Sequence, residues 1–202
     1  MKVIWLAIVG WMLLFASPWR SAPDYAVDLS ASEINVTIFH DGFLGKVRPS
    51  NTLAVKTFGG RINLPPKDLS RATVAIDAEA KSLANIYPEI SDIERRELHS
   101  VLHSKVLESE RFPQITFRSV KVTEIKEVGE KKSFVLHGDL TIHGVTKRFT
   151  APANMTITGG QLRATGETTL KQTDFGMTPY SGGFGMIKIR DEVKVSFNVV
   201  AK

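Results

Sequence analysis

Residues 94–149 read ERRELHSVLHSKVLESERFPQITFRSVKVTEIKEVGEKKSFVLHGDLTIHGVTKRF, and this stretch decides the fold. Its first part has apolar residues at three-and-four spacing, which predicts one amphipathic helix over residues 92–107. Ser91 and Glu94 have the spacing of a capping box at the start of that helix. Pro113 cannot continue a helix, and it favours an extended Phe112. We therefore expect the helix to end before Phe112 and strands to follow it.

The rest of the chain after Pro23 alternates apolar and polar residues, which is typical of strands with one buried face. Turn signals such as Gly144 and Gly159-Gly160 separate these strands at short intervals. The pattern predicts an antiparallel barrel or sandwich whose apolar face is turned inward. Several inward positions are small, and small side chains either leave room for a ligand or face large neighbours; these positions are Gly138, Ala151, Ala153, Ala164 and Gly166.

Three blocks of sequence, in this order, resemble the YceI family of small bacterial lipid-binding proteins. They are residues 105–119 (KVLESERFPQITFRS), 138–147 (GDLTIHGVTK) and 170–177 (LKQTDFGM). The resemblance extends from about Tyr25 to Ala201. It implies a mainly β fold, an eight-stranded antiparallel lipocalin-like barrel with one amphipathic helix. It also implies that residues 23–202 form a lipid-binding domain that encloses a long-chain amphiphile of isoprenoid, quinone or fatty-acyl type.

Inward-facing residues of the strands and aromatic or methionine residues of the loop after residue 173 are the predicted ligand contacts. They are Phe117, Leu140, Ile142, Phe149, Met155, Ile157, Leu162, Phe175, Met177, Phe184, Met186 and Phe197. The loop residues would either cover an apolar ligand or plug the end of the barrel. A filled interior is the alternative to a cavity, and it would make the chain a non-catalytic structural or partner-binding module of the envelope.

The N-terminus predicts export. Residues 3–16 form an uncharged apolar run after Lys2, which has the length of a secretory signal and is short for a membrane span. The cleavage signal after this run is poor, so residues 1–22 are either a signal peptide or a retained N-terminal anchor. We expect a periplasmic or envelope-associated protein. The chain has no cysteine, so its stability must come from its core and its sheet.

Charge and motifs argue against nucleic acid, metals and catalysis. The net charge of +5 is not gathered into a basic cluster, so contact with an anionic membrane surface is compatible with it and nucleic-acid binding is not predicted. His99 and His103 lie four apart on the predicted helix, but no third metal ligand is near them in sequence. The sequence lacks a Gly-x-Ser-x-Gly elbow and has no cysteine nucleophile. We therefore expect no enzyme activity, no cofactor and no metal, and the oligomeric state is left open.

Overall fold

The computed structural model describes residues 24–41, 51–66, 68–182 and 187–202. These residues form one antiparallel sheet of twelve strand segments and one helix. The strands are β1 (Asp24–Ala26), β2 (Glu33–Asp41), β3 (Asn51–Val55), β4 (Phe58–Asn63), β5 (Thr73–Glu79), β6 (Leu83–Asn85), β7 (Gln114–Val128), β8 (Lys131–Ile142), β9 (Val145–Thr158), β10 (Gln161–Lys171), β11 (Ser181–Gly182) and β12 (Ile187–Ala201). The helix α1 (Asp92–Val101) continues into a π-helical turn, Leu102–Val106.

The sheet closes into a barrel. Its closure depends on two interrupted strands, one formed by β3 and β4 and the other by β5 and β6. β3 pairs with β6, and β4 pairs with β5, in nearly the same register. Two backbone bonds bridge the interruption, from Lys56 N to Ser82 O (3.2 Å) and from Glu79 N to Thr57 O (3.0 Å). β3 also pairs with β2, while β5 pairs with β7. The hydrogen-bonded ladder therefore runs from β2 through β3–β4, β5–β6 and β7 to β10, then to β12 and back to β2.

The predicted fold class, a mainly β antiparallel barrel with one amphipathic helix, is confirmed. The number of strand segments differs from the predicted eight. Counting β3–β4 and β5–β6 as one strand each gives eight barrel strands, and two short segments, β1 and β11, pair at the edges of β4 and β12. The two interruptions occur where the chain bends sharply enough to lose regular pairing, which alternation alone does not reveal.

The pairing of β7 with β8 is irregular near Ser119, where the register shifts between Ser119 and Lys121. The hydroxyl of Ser119 accepts a hydrogen bond from the backbone N–H of Val74 (2.7 Å), so the bulge replaces a lost ladder bond with a side-chain bond. The turn between β8 and β9 is formed by His143 and Gly144, both with positive φ (52° and 73°). A two-residue hairpin of this kind sets the register of β8 against β9.

The helix begins as predicted and ends earlier. The Ser91 hydroxyl accepts from the Glu94 N–H, and the Glu94 carboxylate accepts from the Ser91 N–H, so the capping box is present. The α-helix ends at Val101 rather than Leu107, because the chain widens there into the π turn. No residue of α1 is fully buried, whereas Val106 and Leu107 are. The apolar side of the helix thus enters the core only at its C-terminal end, as Leu98, Val101 and Leu102 are partly buried.

The predicted leader, residues 1–22, lies outside the described residues. Among the residues that are described, no helix is long and apolar enough to cross a membrane.

Candidate functional site

The barrel encloses a cavity of about 260 Å³. Every strand of the barrel contributes to its wall. The wall consists of Ile34, Val36, Ile38, Leu53, Val55, Ile62, Leu64, Leu69, Ala72, Val74, Ile76, Ala78, Leu83, Leu102, Val106, Leu107, Ile115, Phe117, Val122, Phe134, Leu136, Leu140, Ile142, Phe149, Ala151, Ala153, Met155, Leu162, Ala164, Leu170, Gln172, Met177, Val193, Val195, Phe197 and Val199. Alternate residues of each strand appear in this set, as expected for a pleated sheet with one inward face.

The wall is apolar at every position except Gln172, and no described residue of the wall carries a charge. A water molecule in such a space finds too few polar partners to replace its bonds in the bulk liquid. Apolar cavities of this kind are suited to hydrocarbon rather than to water or a charged metabolite.

The cavity is long. Leu162 and Leu170 both line it, and they lie eight residues apart on β10, which is about 26 Å along a strand at about 3.3 Å per residue. Two separate clusters of buried side chains surround its ends. One contains Val106, Leu107 and Phe175, and the other contains Leu64, Leu162 and Val199. The elongated shape fits a chain-like ligand better than a compact one.

One end of the cavity is closed by the π turn after α1. Leu102, Val106 and Leu107 supply its apolar inner surface. The ring of His103 ties this turn to the barrel, since its Nε2 lies 3.0 Å from Leu83 O and its Nδ1 lies 3.1 Å from the Ser109 hydroxyl. Burial lowers the pKa of His103 below its usual value, and His99 and Lys81 lower it further, while the bond to Leu83 O partly opposes this.

A second tie joins the segment after the turn to the β8–β9 hairpin. His143 Nε2 lies 3.1 Å from Glu108 Oε1, and the ring of Phe112 packs on the His143 ring at 4.2 Å between centroids. The two ties hold the segment after α1 on the end of the barrel.

The small inward residues fall into two groups. Ala151, Ala153 and Ala164 line the cavity. Gly138 and Gly166 instead lie beneath aromatic rings, because a Cβ at these positions would come within 2.4 Å of Phe117 and Phe197 respectively. The alanines therefore leave room for a ligand, whereas the glycines leave room for side chains of neighbouring strands.

The predicted contact residues are placed as follows. On the wall lie Phe117, Leu140, Ile142, Phe149, Met155, Leu162, Met177 and Phe197. Ile157 packs against the cluster that contains Leu162 and does not line the cavity. Phe175 is buried in the cluster that contains Val106, also off the wall. Phe184 and Met186 lie outside the described residues.

The predicted contacts all lie between residues 117 and 197, so they leave out the wall residues between positions 34 and 83. They also leave out Leu102, Val106 and Leu107, whose spacing in the helical pattern was the available signal. Gln172 was also missed, because a glutamine after a strand gives no sign of facing inward.

Gln172 is 6% exposed and lies between the end of β10 and the irregular part of β12. Its backbone N–H donates to Asp191 O (3.0 Å), and its side-chain Nε2 donates to Arg190 O (2.8 Å). Asp191 is held in turn, since its carboxylate accepts from the backbone N–H (2.9 Å) and the hydroxyl (2.7 Å) of Thr173. These bonds, the hydroxyl bond first, lower the pKa of the Asp191 carboxyl.

The described histidines make ring contacts and hydrogen bonds within the fold. His99 and His103 stack at 4.3 Å between ring centroids, and His137 bonds to the hydroxyls of Thr123 (2.8 Å) and Thr150 (3.2 Å) across neighbouring strands. Within residues 24–41, 51–66, 68–182 and 187–202, no group of three or more His, Cys, Asp or Glu side chains could hold a metal ion.

Comparison with known proteins agrees with this architecture. Residues 25–201 match the model of the YceI-like domain. A UPF0312 protein of Vibrio vulnificus is 29% identical over 175 residues, which cover 82% of this chain and 84% of that protein. A UPF0312 protein of Vibrio campbellii is 28% identical over 179 residues, 84% of this chain and 86% of that protein.

Two solved structures share the fold. Burkholderia cenocepacia BcnA superposes with a TM-score of 0.67 at 20% identity, over 87% of this chain and 99% of BcnA. A polyisoprenoid binding domain from Saccharophagus degradans, implicated in plant cell wall breakdown, superposes with a TM-score of 0.64 at 14% identity, over 91% of this chain and 99% of that domain. With the family model matched over nearly the whole described barrel, this chain belongs to the YceI-like domain family.

Proposed function

We propose that this protein binds a long-chain amphiphile of isoprenoid, quinone or fatty-acyl type in the barrel cavity, for carriage or storage. The observation that carries the proposal is the wall itself, an elongated surface on which every described side chain but Gln172 is apolar. A solid-core module would not need such a space, because an empty cavity costs stability roughly in proportion to its volume.

The energetics favour a chain-like occupant. Each CH₂ group moved from water into the cavity contributes about 0.8 kcal/mol. A chain of many such groups gains enough to offset the loss of its freedom on binding. Specificity then depends on cavity length and on the few polar contacts available to the head of the ligand.

The family relationship supports this function and gives no reason to propose catalysis. One solved structure of the same fold is described as a polyisoprenoid binding domain. At 14% identity it shares the fold with this chain, so its ligand is a guide to the class of molecule rather than to its identity.

The site of action that fits this function is the periplasm or envelope. The proposed location is supported by the apolar run of residues 3–16, which has the length of a secretory signal. If residues 1–22 are retained, they would keep the barrel beside the membrane from which it takes its ligand.

Lipid extraction and mass spectrometry of the purified full chain test the function. The protein should carry amphiphile in near-stoichiometric amount, and the same extraction applied to an unrelated exported protein from the same host should not. A parent protein without lipid, which also fails to take up added long-chain lipids, would contradict the proposal.

A further inference from the structure

Gln172 is the one polar side chain on the described part of the cavity wall, and its hydrogen bonds determine which of its polar atoms is available to a ligand. The Nε2 of Gln172 donates to Arg190 O (2.8 Å) and approaches Asp191 O (3.5 Å). The amide nitrogen, which is a donor, therefore has both of its contacts with the β12 backbone. No described residue donates a hydrogen bond to the amide oxygen of Gln172, which is an acceptor.

The position of Gln172 is fixed by its surroundings. Its backbone carbonyl accepts from the N–H groups of Phe175 (3.1 Å) and Met177 (3.2 Å), and its own N–H donates to Asp191 O. The side chain is more than nine-tenths buried, and it lines the cavity. The amide oxygen itself is not fully enclosed by protein, so a ligand can reach it. Water is scarce beside an apolar wall, so a donor brought by a ligand gains more here than it would at the surface.

The same wall disfavours a charged head group. Among the described residues, no lysine, arginine or histidine lines the cavity. A carboxylate or phosphate in this space would lose its hydration without gaining a counter-charge, and its negative oxygens would face another acceptor. A neutral hydroxyl meets neither penalty.

From these contacts we infer that Gln172 is a specificity-determining residue, which selects long-chain ligands that carry a neutral hydrogen-bond donor, an alcohol or phenol hydroxyl, and accepts that donor on its amide oxygen. The inference rests on the proposed function and narrows its ligand class. It places the hydroxyl end of the ligand beside Leu170, Met177 and Val193, which neighbour Gln172 on the wall.

The test compares three probes with one C20 isoprenoid chain: the alcohol, its methyl ether and the corresponding carboxylic acid. Each displaces N-phenyl-1-naphthylamine, an apolar dye, from delipidated full-length protein at pH 8. The wild type should bind the alcohol roughly 3- to 10-fold more tightly than the ether. This ratio corresponds to the net free energy of one neutral hydrogen bond. The ionised acid should bind at least about tenfold more weakly than the alcohol.

The variant Gln172→Met keeps the length of the side chain and removes its acceptor. It should abolish the preference for alcohol over ether, so that their affinity ratio falls to about one. Thr169→Met, which places the same new side chain at an exposed position of β10 outside the cavity wall, should keep the wild-type ratio. A purely structural role of Gln172 in holding β12 would lower the affinity for both probes together and leave the ratio unchanged.

Failure of this inference differs from failure of the proposed function. If alcohol and ether bind the wild type equally, or if the ionised acid binds as tightly as the alcohol, Gln172 does not select a neutral donor, while lipid binding stands. If no probe displaces the dye, lipid binding itself fails. The wild-type comparison needs no variant to fold, so an unstable Gln172→Met protein does not leave the inference untested.

Discussion

The ring of Phe197 on β12 fills the space that a side chain would need at Gly166, its direct partner on β10. A Cβ at Gly166 would lie 2.4 Å from Phe197 Cζ and 2.5 Å from the Pro152 carbonyl oxygen. Phe197 in turn forms part of the cavity wall. The glycine therefore determines how far this ring withdraws from the cavity.

Replacing Gly166 by alanine should destabilise the barrel and push the Phe197 ring inward. We expect the free energy of unfolding to fall by about 1–3 kcal/mol, because the backbone contact cannot relax. Urea unfolding measures this. Gly59→Ala is the matched control, since a Cβ at Gly59 meets nothing within 4 Å, and it should be neutral or slightly stabilising. Equal stability of the two variants would contradict the packing described for Gly166.

The hydroxyl of Ser119 should contribute more to the stability of the fold than the hydroxyl of an exposed serine. Ser119→Ala leaves the N–H of Val74 without its 2.7 Å acceptor in a partly buried position, at a cost of about 1–3 kcal/mol. Ser104, whose exposed hydroxyl donates to Ser100 O, is the control, and Ser104→Ala should change stability by less than about 0.5 kcal/mol. Hydrogen exchange at Val74 should accelerate in Ser119→Ala alone, and an unchanged rate there would show that the bond is dispensable.

Stability should fall on mild acidification, in part through His103. Its pKa is lowered by burial in the folded state, whereas an unfolded histidine titrates at about 6.5. The unfolded chain therefore binds the proton first, so stability is complete above about pH 6.5 and is lost as the pH falls below that value. The π turn that closes the cavity should open more readily under these conditions.

The measurement is the urea midpoint between pH 7.5 and 5.5. His103→Gln should show a shallower slope of the urea midpoint against pH than the wild type. His99→Gln removes only the smaller effect of the His99 charge on the pKa of His103, so its slope should lie between the two. If His103→Gln leaves the slope of the urea midpoint against pH unchanged, the pH dependence comes from other groups.

Much of the barrel follows from the sequence, because period-two alternation identifies the inward side of each strand. Val193, Val195, Phe197 and Val199 illustrate this, since all four line the cavity. Alternation does not indicate the depth of a residue along the barrel. Ile157, close to the β9–β10 turn, packs against the core cluster that contains Leu162 and not on the cavity wall. Phe175 lies in a short 3₁₀ turn, where strand periodicity gives no direction.

The contact of Gln172 with the β12 backbone depends on residues that are 18 positions away in the chain. The irregular register between Ile189 and Val193 exposes the carbonyl groups that its amide needs. Neither feature has a local pattern, so the only polar side chain of the described wall could not be found from sequence.

Export is tested by fusing residues 1–30 to a reporter that is active only outside the cytoplasm. The fusion should be active, and replacing two leucines of the apolar run, Leu13 and Leu14, by arginine should abolish the activity. The N-terminal residue of the mature protein then distinguishes cleavage from anchoring. An inactive fusion would contradict the proposed location and leave the barrel function open.

The central claim, that the cavity holds a lipid, is tested most directly by the lipid content of Ala164→Trp relative to the wild type. Ala164 lines the cavity, and Thr169 is exposed on the same strand, so Thr169→Trp is the matched control. Mass spectrometry of extracts should find near-stoichiometric lipid in the wild type and Thr169→Trp, and little in Ala164→Trp at a nearly unchanged melting temperature, because the indole replaces the ligand. No lipid in the wild type, together with a collapse of stability in Ala164→Trp, would show a solid core and contradict the account.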